Sequence, residues 1–207
     1  MEQVQRHAQA VMDIAEEHEF QIWRAVATCL HGAALVGMDQ AEEGLTQTNR
    51  GIELYQELKS PPVFWHLLLS IQAWAYGQAG RPTRGLVLLD EAMGIIGQDS
   101  ESPILADLCR LKGELLLALS PENQAEAWFE KALRIAQERK AVMLELRAAI
   151  SLCRLWREQG KPEQGRQLLS EAYEQMSEGF TTADLKEARA LLGVETARKS
   201  RNVTVKR

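Results

Sequence analysis

The sequence predicts an all-α fold, a right-handed superhelix of antiparallel helix pairs with a repeat of about 40 residues and roughly ten helices. Three observations predict it. Small side chains recur on a fixed lattice, all six prolines fall where helices must start or stop, and no alternating strand pattern competes. The lattice is anchored at Gly32, Ala73, Gly113 and Cys153, spaced 41, 40 and 40 residues apart. Twelve residues after the anchors come Gly44, Gly85, Ala125 and Gly165, and seven further on come Gly51, Ala92, Ala132 and Ala172. In a helical hairpin the two backbones approach closely only where a short side chain opens the groove of one helix to the other.

The elements follow in order. Residues 1–18 hold an amphipathic helix, Glu2–Glu17, with Val4, Ala8, Val11, Met12 and Ala15 on one side; in repeat register it is the second helix of a pair without its first. The first pair covers 20–58, as Phe20–Gly37 and Gln40–Leu58. It departs most from the repeat, with Asp39 where a helix-ending glycine is expected and Thr48 where an aromatic is. The second covers 63–97, as Val63–Ala79 and Thr83–Ile96, after Pro61-Pro62 and with Gly80 and Pro82 between its helices. The third covers 103–138, as Pro103–Leu119 and Pro121–Glu138, each preceded by a capping serine, Ser102 and Ser120. The fourth covers 142–178, as Val142–Gln159 and Pro162–Ser177, separated at Gly160. A closing helix, Ala183–Leu192 within 181–192, has Thr181 or Thr182 as its cap and Asp184 near its positive end. Residues 1–193 thus form one helical-repeat domain, and the tail 194–207 is basic and predicted to be disordered in isolation.

Between the anchors stand larger residues: Tyr76 and Trp156 three after theirs, and Phe129 four after Ala125. Small residue, aromatic, Ala, Phe and Ala in this order match the tetratricopeptide pattern, most fully in the third unit with Gly113, Ala125, Phe129 and Ala132. That pattern usually repeats every 34 residues or about that, so the extra residues predict helices nearly a turn longer.

Composition narrows the function. A net charge of −5 provides no general attraction for nucleic acid. Cys29, Cys109 and Cys153 fall inside predicted helices without a C-x-x-C spacing, as small core residues of a reducing, cytoplasmic setting do. No charged-then-apolar leader is visible. The uncharged run from Ser60 to Gly80 opens with two prolines and carries His66, Ser70, Gln72 and Gln78, so it reads as a helix buried in the stack and no membrane partner is expected.

Catalytic and metal patterns are absent. His7, His18, His31 and His66 make no H-E-x-x-H spacing, and no P-loop, G-x-S-x-G or G-x-G-x-x-G occurs. The chain is read as no enzyme, with no cofactor and no metal. Candidate contacts come instead from geometry, because the first helices of the pairs would line the concave side. Positions three before, one after and four after each anchor give Cys29, Ala33 and Val36, then Ser70, Trp74 and Gly77, then Arg110, Glu114 and Leu117, then Ile150, Arg154 and Arg157. Asp107 and Arg147 stand one turn earlier. The partner-binding set is therefore Ser70, Trp74, Asp107, Arg110, Glu114, Arg147, Arg154 and Arg157, apolar toward one end and arginine-rich toward the other. The competing reading is structural: Arg110 and Glu114 are four apart on one helix, and Arg147 and Arg154 could bridge to Asp107 or Glu114.

Four segments carry a resemblance to a known family: A-D-L-C-R-L-K-G-E-L-L-L-A-L from Ala106, A-E-A-W-F-E-K-A-L-R-I-A from Ala125, E-L-R-A-A-I-S-L-C-R-L-W-R-E-Q-G-K from Glu145, and E-G-F-T-T-A-D-L-K-E-A-R-A-L-L from Glu178. Together they resemble the C-terminal tetratricopeptide region of large bacterial signalling proteins. Those proteins join a class III adenylate or guanylate cyclase, or a winged-helix regulator, to a STAND-type ATPase. The resemblance implies a regulatory, partner-sensing arm whose ATP and cyclase chemistry lies elsewhere. The partner is then a protein, a peptide or other domains of the parent. Self-association into a homodimer and capture of a small anionic ligand are the alternatives.

Overall fold

Ten helices account for the described structure, a computed structural model that describes residues 1–58, 63–97, 102–119 and 124–193. They are α1 (Glu2–Glu17), α2 (Gln21–Val36), α3 (Ala41–Glu57), α4 (Trp65–Gln78), α5 (Pro82–Ile96), α6 (Ile104–Leu119), α7 (Ala125–Glu138), α8 (Val142–Glu158), α9 (Pro162–Glu174) and α10 (Ala183–Leu192). Among the described residues there is no strand. Pro82 and Pro162 open α5 and α9, where a missing N–H leaves no hydrogen bond unmade. Pro61, Pro62, Ser120, Pro121 and the tail 194–207 lie outside the described residues.

One turn recurs between the helices. Glu19, Asp39, Gly80, Lys140 and Gly160 all adopt positive φ, from 52° to 79°. Each is bracketed by the same crossed backbone bonds: Asp39 N–H donates to Val36 O and Gln40 N–H to Leu35 O, as Gly160 N–H does to Arg157 O and Lys161 N–H to Trp156 O. Asp39 thus takes the place of the expected glycine without changing the turn. Thr182 occupies the N-cap of α10, but its hydroxyl makes no capping hydrogen bond. Helix α9 ends at Glu174 rather than Ser177.

The small residues lie where helices meet. A Cβ added to Gly32 would stand 2.5 Å from the backbone nitrogen of Thr48 and 2.6 Å from Gly44 O, so α2 and α3 touch backbone to backbone. Thr48 is fully buried with its hydroxyl donating to Gly44 O at 2.7 Å, so the first pair substitutes a tight polar contact for an aromatic. In the third pair the space above Gly113 is filled by the Phe129 ring, while Ala125 and Ala132 are buried in the same interface.

Each helix packs against the next in sequence, and the even-numbered helices also touch one another in a row, α2 to α4 to α6 to α8 to α10. Among the described residues α3, α5, α7 and α9 make no such contacts with one another. The core is accordingly a string of local clusters, one around Leu69, Leu89 and Leu108 in the middle, another around Leu146, Leu169 and Leu185 at the end. Successive pairs are also clipped by polar contacts at equivalent positions. Gln72 Nε2 donates to Asn49 Oδ1 at 2.7 Å, and one repeat later Lys112 Nζ reaches Asp90 Oδ1 at 2.5 Å. At the next joint Leu152 replaces the polar residue, and Trp156 Nε1 donates to Glu126 Oε1 at 2.6 Å instead.

The uncharged segment forms α4, with Leu68, Leu69, Ala73 and Ala75 buried against its neighbours. Among the described residues no helix is long and apolar enough to cross a membrane.

Candidate functional site

A cleft of about 260 Å³ opens on the row of even-numbered helices. Its floor and walls come from Leu30, Ala33 and Ala34 of α2, Leu67, Ser70, Ile71 and Trp74 of α4, and Asp107, Arg110 and Leu111 of α6. Met1 and Val4 close one end. Four residues of the expected binding set, Ser70, Trp74, Asp107 and Arg110, therefore meet in one place. The reason is local: positions 67, 70, 71 and 74 fall on one stripe of α4 at helical spacing, and the row contact of α4 with α6 brings Asp107 and Arg110 alongside.

The polar groups of the cleft are largely committed. The Ser70 hydroxyl donates to Leu67 O at 2.7 Å. Arg110 is a largely buried fork, its side chain 15% exposed, with Nε at 2.8 Å from Asp107 Oδ1 and Nη1 at 2.6 Å from Glu114 Oε1. Burial works against its charge, and the two carboxylates outweigh burial and hold its pKa above the ordinary value. Ser151 of α8 adds a hydrogen bond to Glu114 Oε1 at 3.3 Å. What the cleft offers a visitor is mainly apolar surface, with the partly buried Trp74 in its wall.

Arg147, Arg154 and Arg157 do not line this cleft. Arg147 Nε lies 2.9 Å from Asp184 Oδ2, and Arg154 pairs with Glu187, so both hold α10 rather than bridging to Asp107 or Glu114. Arg157 is exposed. Arg110 is thus paired within α6, Arg147 and Arg154 pair from α8 to α10, and the Ser151–Glu114 hydrogen bond links α8 to α6.

Of the three α2 positions expected to face the groove, Ala33 lines the cleft and the other two do not. Cys29 and Val36 point into the α2–α3 contact, Cys29 Sγ against Gly51 and Val36 against Gly44, while Leu30, Ala33 and Ala34 face the cleft. Ile150 is likewise buried, in the α8–α10 cluster, and Gly77 faces Leu115. Leu30, Leu67, Ile71, Leu111 and Val4 were missed as cleft residues. Their apolar spacing was readable, but apolar spacing alone marks core and groove alike.

A second cleft, of about 370 Å³, lies between α5 and α7 on the opposite layer, where Lys112 and Lys131 sit 4.4 and 5.0 Å from the centre of the Trp128 ring. Among the described residues no group of three or more His, Cys, Asp or Glu is placed to hold a metal ion. No protein-family model matches the chain, and no curated protein matches it closely enough to count as a relative.

Proposed function

We propose that this chain is a non-catalytic helical-repeat module that binds a protein or peptide on the row formed by its even-numbered helices. On this reading the pairs coil as a tetratricopeptide-type right-handed superhelix with that row on the inner, concave side. The module serves in the cytoplasm as the partner-sensing arm of a larger bacterial signalling ATPase or nucleotide cyclase. The observation that supports it is the apolar cleft around Trp74: a partly exposed aromatic among apolar walls, with Ser70, Asp107 and Arg110 already hydrogen-bonded within the chain, suits the apolar side chains of another polypeptide. The small-anion alternative has less support, since Arg110, Arg147 and Arg154 each face a carboxylate.

The test is site-specific photo-crosslinking in cells, with the reactive residue at Leu67 in the cleft or at Glu171 on the exposed side of α9. A discrete crosslinked polypeptide from position 67, absent from position 171 and lost in Trp74→Ala, is the expected result. Equal labelling from both positions, or labelling unaffected by Trp74→Ala, rejects the reading.

A further inference from the structure

We propose that the second cleft, walled by α5, α6 and α7, is a binding site for a small organic carboxylate with an apolar body. The cleft lies on the layer opposite the protein-binding row, and its use does not depend on that row. Its walls are Met93 of α5 and Leu105 of α6, both buried, and the Trp128 ring of α7. Charged groups stand beside them because Asp90 and Met93, three apart on α5, share a face, as Trp128 and Lys131 do on α7. Lys112 of α6 completes the set. Its ammonium is 4.4 Å from the centre of the Trp128 ring, and that of Lys131 is 5.0 Å from it. Both ammonium groups are therefore held at one wall of a cleft of about 370 Å³. That is near the small end of the roughly 300–1,000 Å³ that ligand pockets occupy.

The ligand's chemistry follows from charge and from a missing side chain. Lys112, its side chain 17% exposed, is committed to Asp90, whereas Lys131 has no carboxylate within ion-pair distance among the described residues. Two ammonium groups against one carboxylate leave the lining with one positive charge, which suits a singly charged carboxylate better than a doubly charged phosphate. Their field also reaches inward: burial raises the pKa of the Cys109 thiol, and Lys131, Lys112 and Arg134 oppose that rise. Met93, Leu105 and Trp128 make the rest of the surface mainly apolar, so the body attached to the carboxylate is apolar too. Gly94, on the same face of α5, leaves room for it. A Cβ added there meets nothing within 4 Å among the described residues, whereas one added at Gly85 of the same helix would stand 2.7 Å from Ala73 O. Glycine weakens a helix interior, and no close contact requires it at position 94. Its absent side chain keeps the cleft open.

The test follows the indole N–H signals of the five tryptophans in the nitrogen-15-labelled whole chain by NMR, the signal lost in Trp128→Phe being that of Trp128. The probe is 3-phenylpropanoate. Its comparisons are 3-phenylpropanamide, inorganic phosphate and N-acetylglutamate α-amide, the last standing for an acidic side chain of a protein. The aromatic acid is expected to shift the Trp128 signal saturably and to bind at least about tenfold more tightly than any of the other three. Lys131→Met should weaken it about tenfold. Gly94→Leu should fill the cleft and abolish saturation without lowering the melting temperature. Lys186→Met, the same loss of charge at an exposed position of α10, leaves binding unchanged. The proposal is overturned if 3-phenylpropanoate gives no saturable shift at Trp128, or if the amide, phosphate or glutamate amide binds equally well. Indifference of binding to either Lys131→Met or Gly94→Leu overturns it as well.

Discussion

Ala132 shows what a single small side chain does in this chain. It is fully buried where α7 meets α6, in the cluster with Leu105, Leu108 and Cys109. Ala132→Phe is expected to force α6 and α7 apart and to lower stability by about 1–3 kcal/mol. A urea melt with an unchanged midpoint would contradict the close contact. Cys29 gives a second residue-scale expectation. Its S–H donates to Thr48 O, and burial pushes its pKa from the ordinary 9.0 up to about 12. A thiol that ionises less readily folded than unfolded contributes stability that is complete below pH 9 and is lost as pH rises toward 12. Between those limits the loss is about 1.4 kcal/mol per pH unit. Cys29→Ala should therefore flatten the alkaline decline in denaturant melts between pH 8 and about 10.5, and an identical slope would show that Cys29 is not its source.

At the scale of the element, α10 is held by two unlike attachments. Leu185 and Ala188 are fully buried against α8 and α9, while the Arg147–Asp184 and Arg154–Glu187 pairs are part-exposed, the arginines 40% and 52% and the carboxylates 28% and 34%. Exposed pairs contribute little, so Asp184→Asn with Glu187→Gln is expected to cost under about 1 kcal/mol. Leu185→Ala removes buried methyl groups and should cost about 2–5 kcal/mol. Amide hydrogen exchange reports both: faster exchange confined to α10 in the charge variant, extending into α8 and α9 in the leucine variant. Loss of the whole protein's protection in the charge variant would show that the ion pairs carry more than their exposure allows. These pairs also mark a limit of sequence reading. Arg147 and Asp184 are 37 residues apart, and no local periodicity encodes which carboxylate an arginine on one helix will find on another.

Over the whole molecule, what the sequence made legible was spacing. Gly32 with Gly44, and Gly113 with Ala125 and Ala132, could be read as helix contacts because a lattice of small residues has few other physical causes. Pro82 and Pro162 could be read as helix starts for the same kind of reason. The candidate site was legible in part. Trp74, Ser70, Asp107 and Arg110 were found by counting from the anchors, and they do converge. On α2 only Ala33 was placed correctly, because Cys29 and Val36 sit one notch around the helix from the residues that face the cleft. The exposed flank of α1 was legible in outline, because in repeat register that helix reads as the second of a pair without its first; Ala8 and Ala15 are buried while Val4 and Val11 stay exposed.

The recurring bend at Glu19, Asp39, Gly80, Lys140 and Gly160 has a practical consequence. Where five joints share one shape, the modules adjoining them are interchangeable at those splice points. Duplicating or deleting a stretch cut at equivalent bends would then leave each new seam with a geometry the chain already uses, so the length of the array becomes a variable that recombination can change in whole steps.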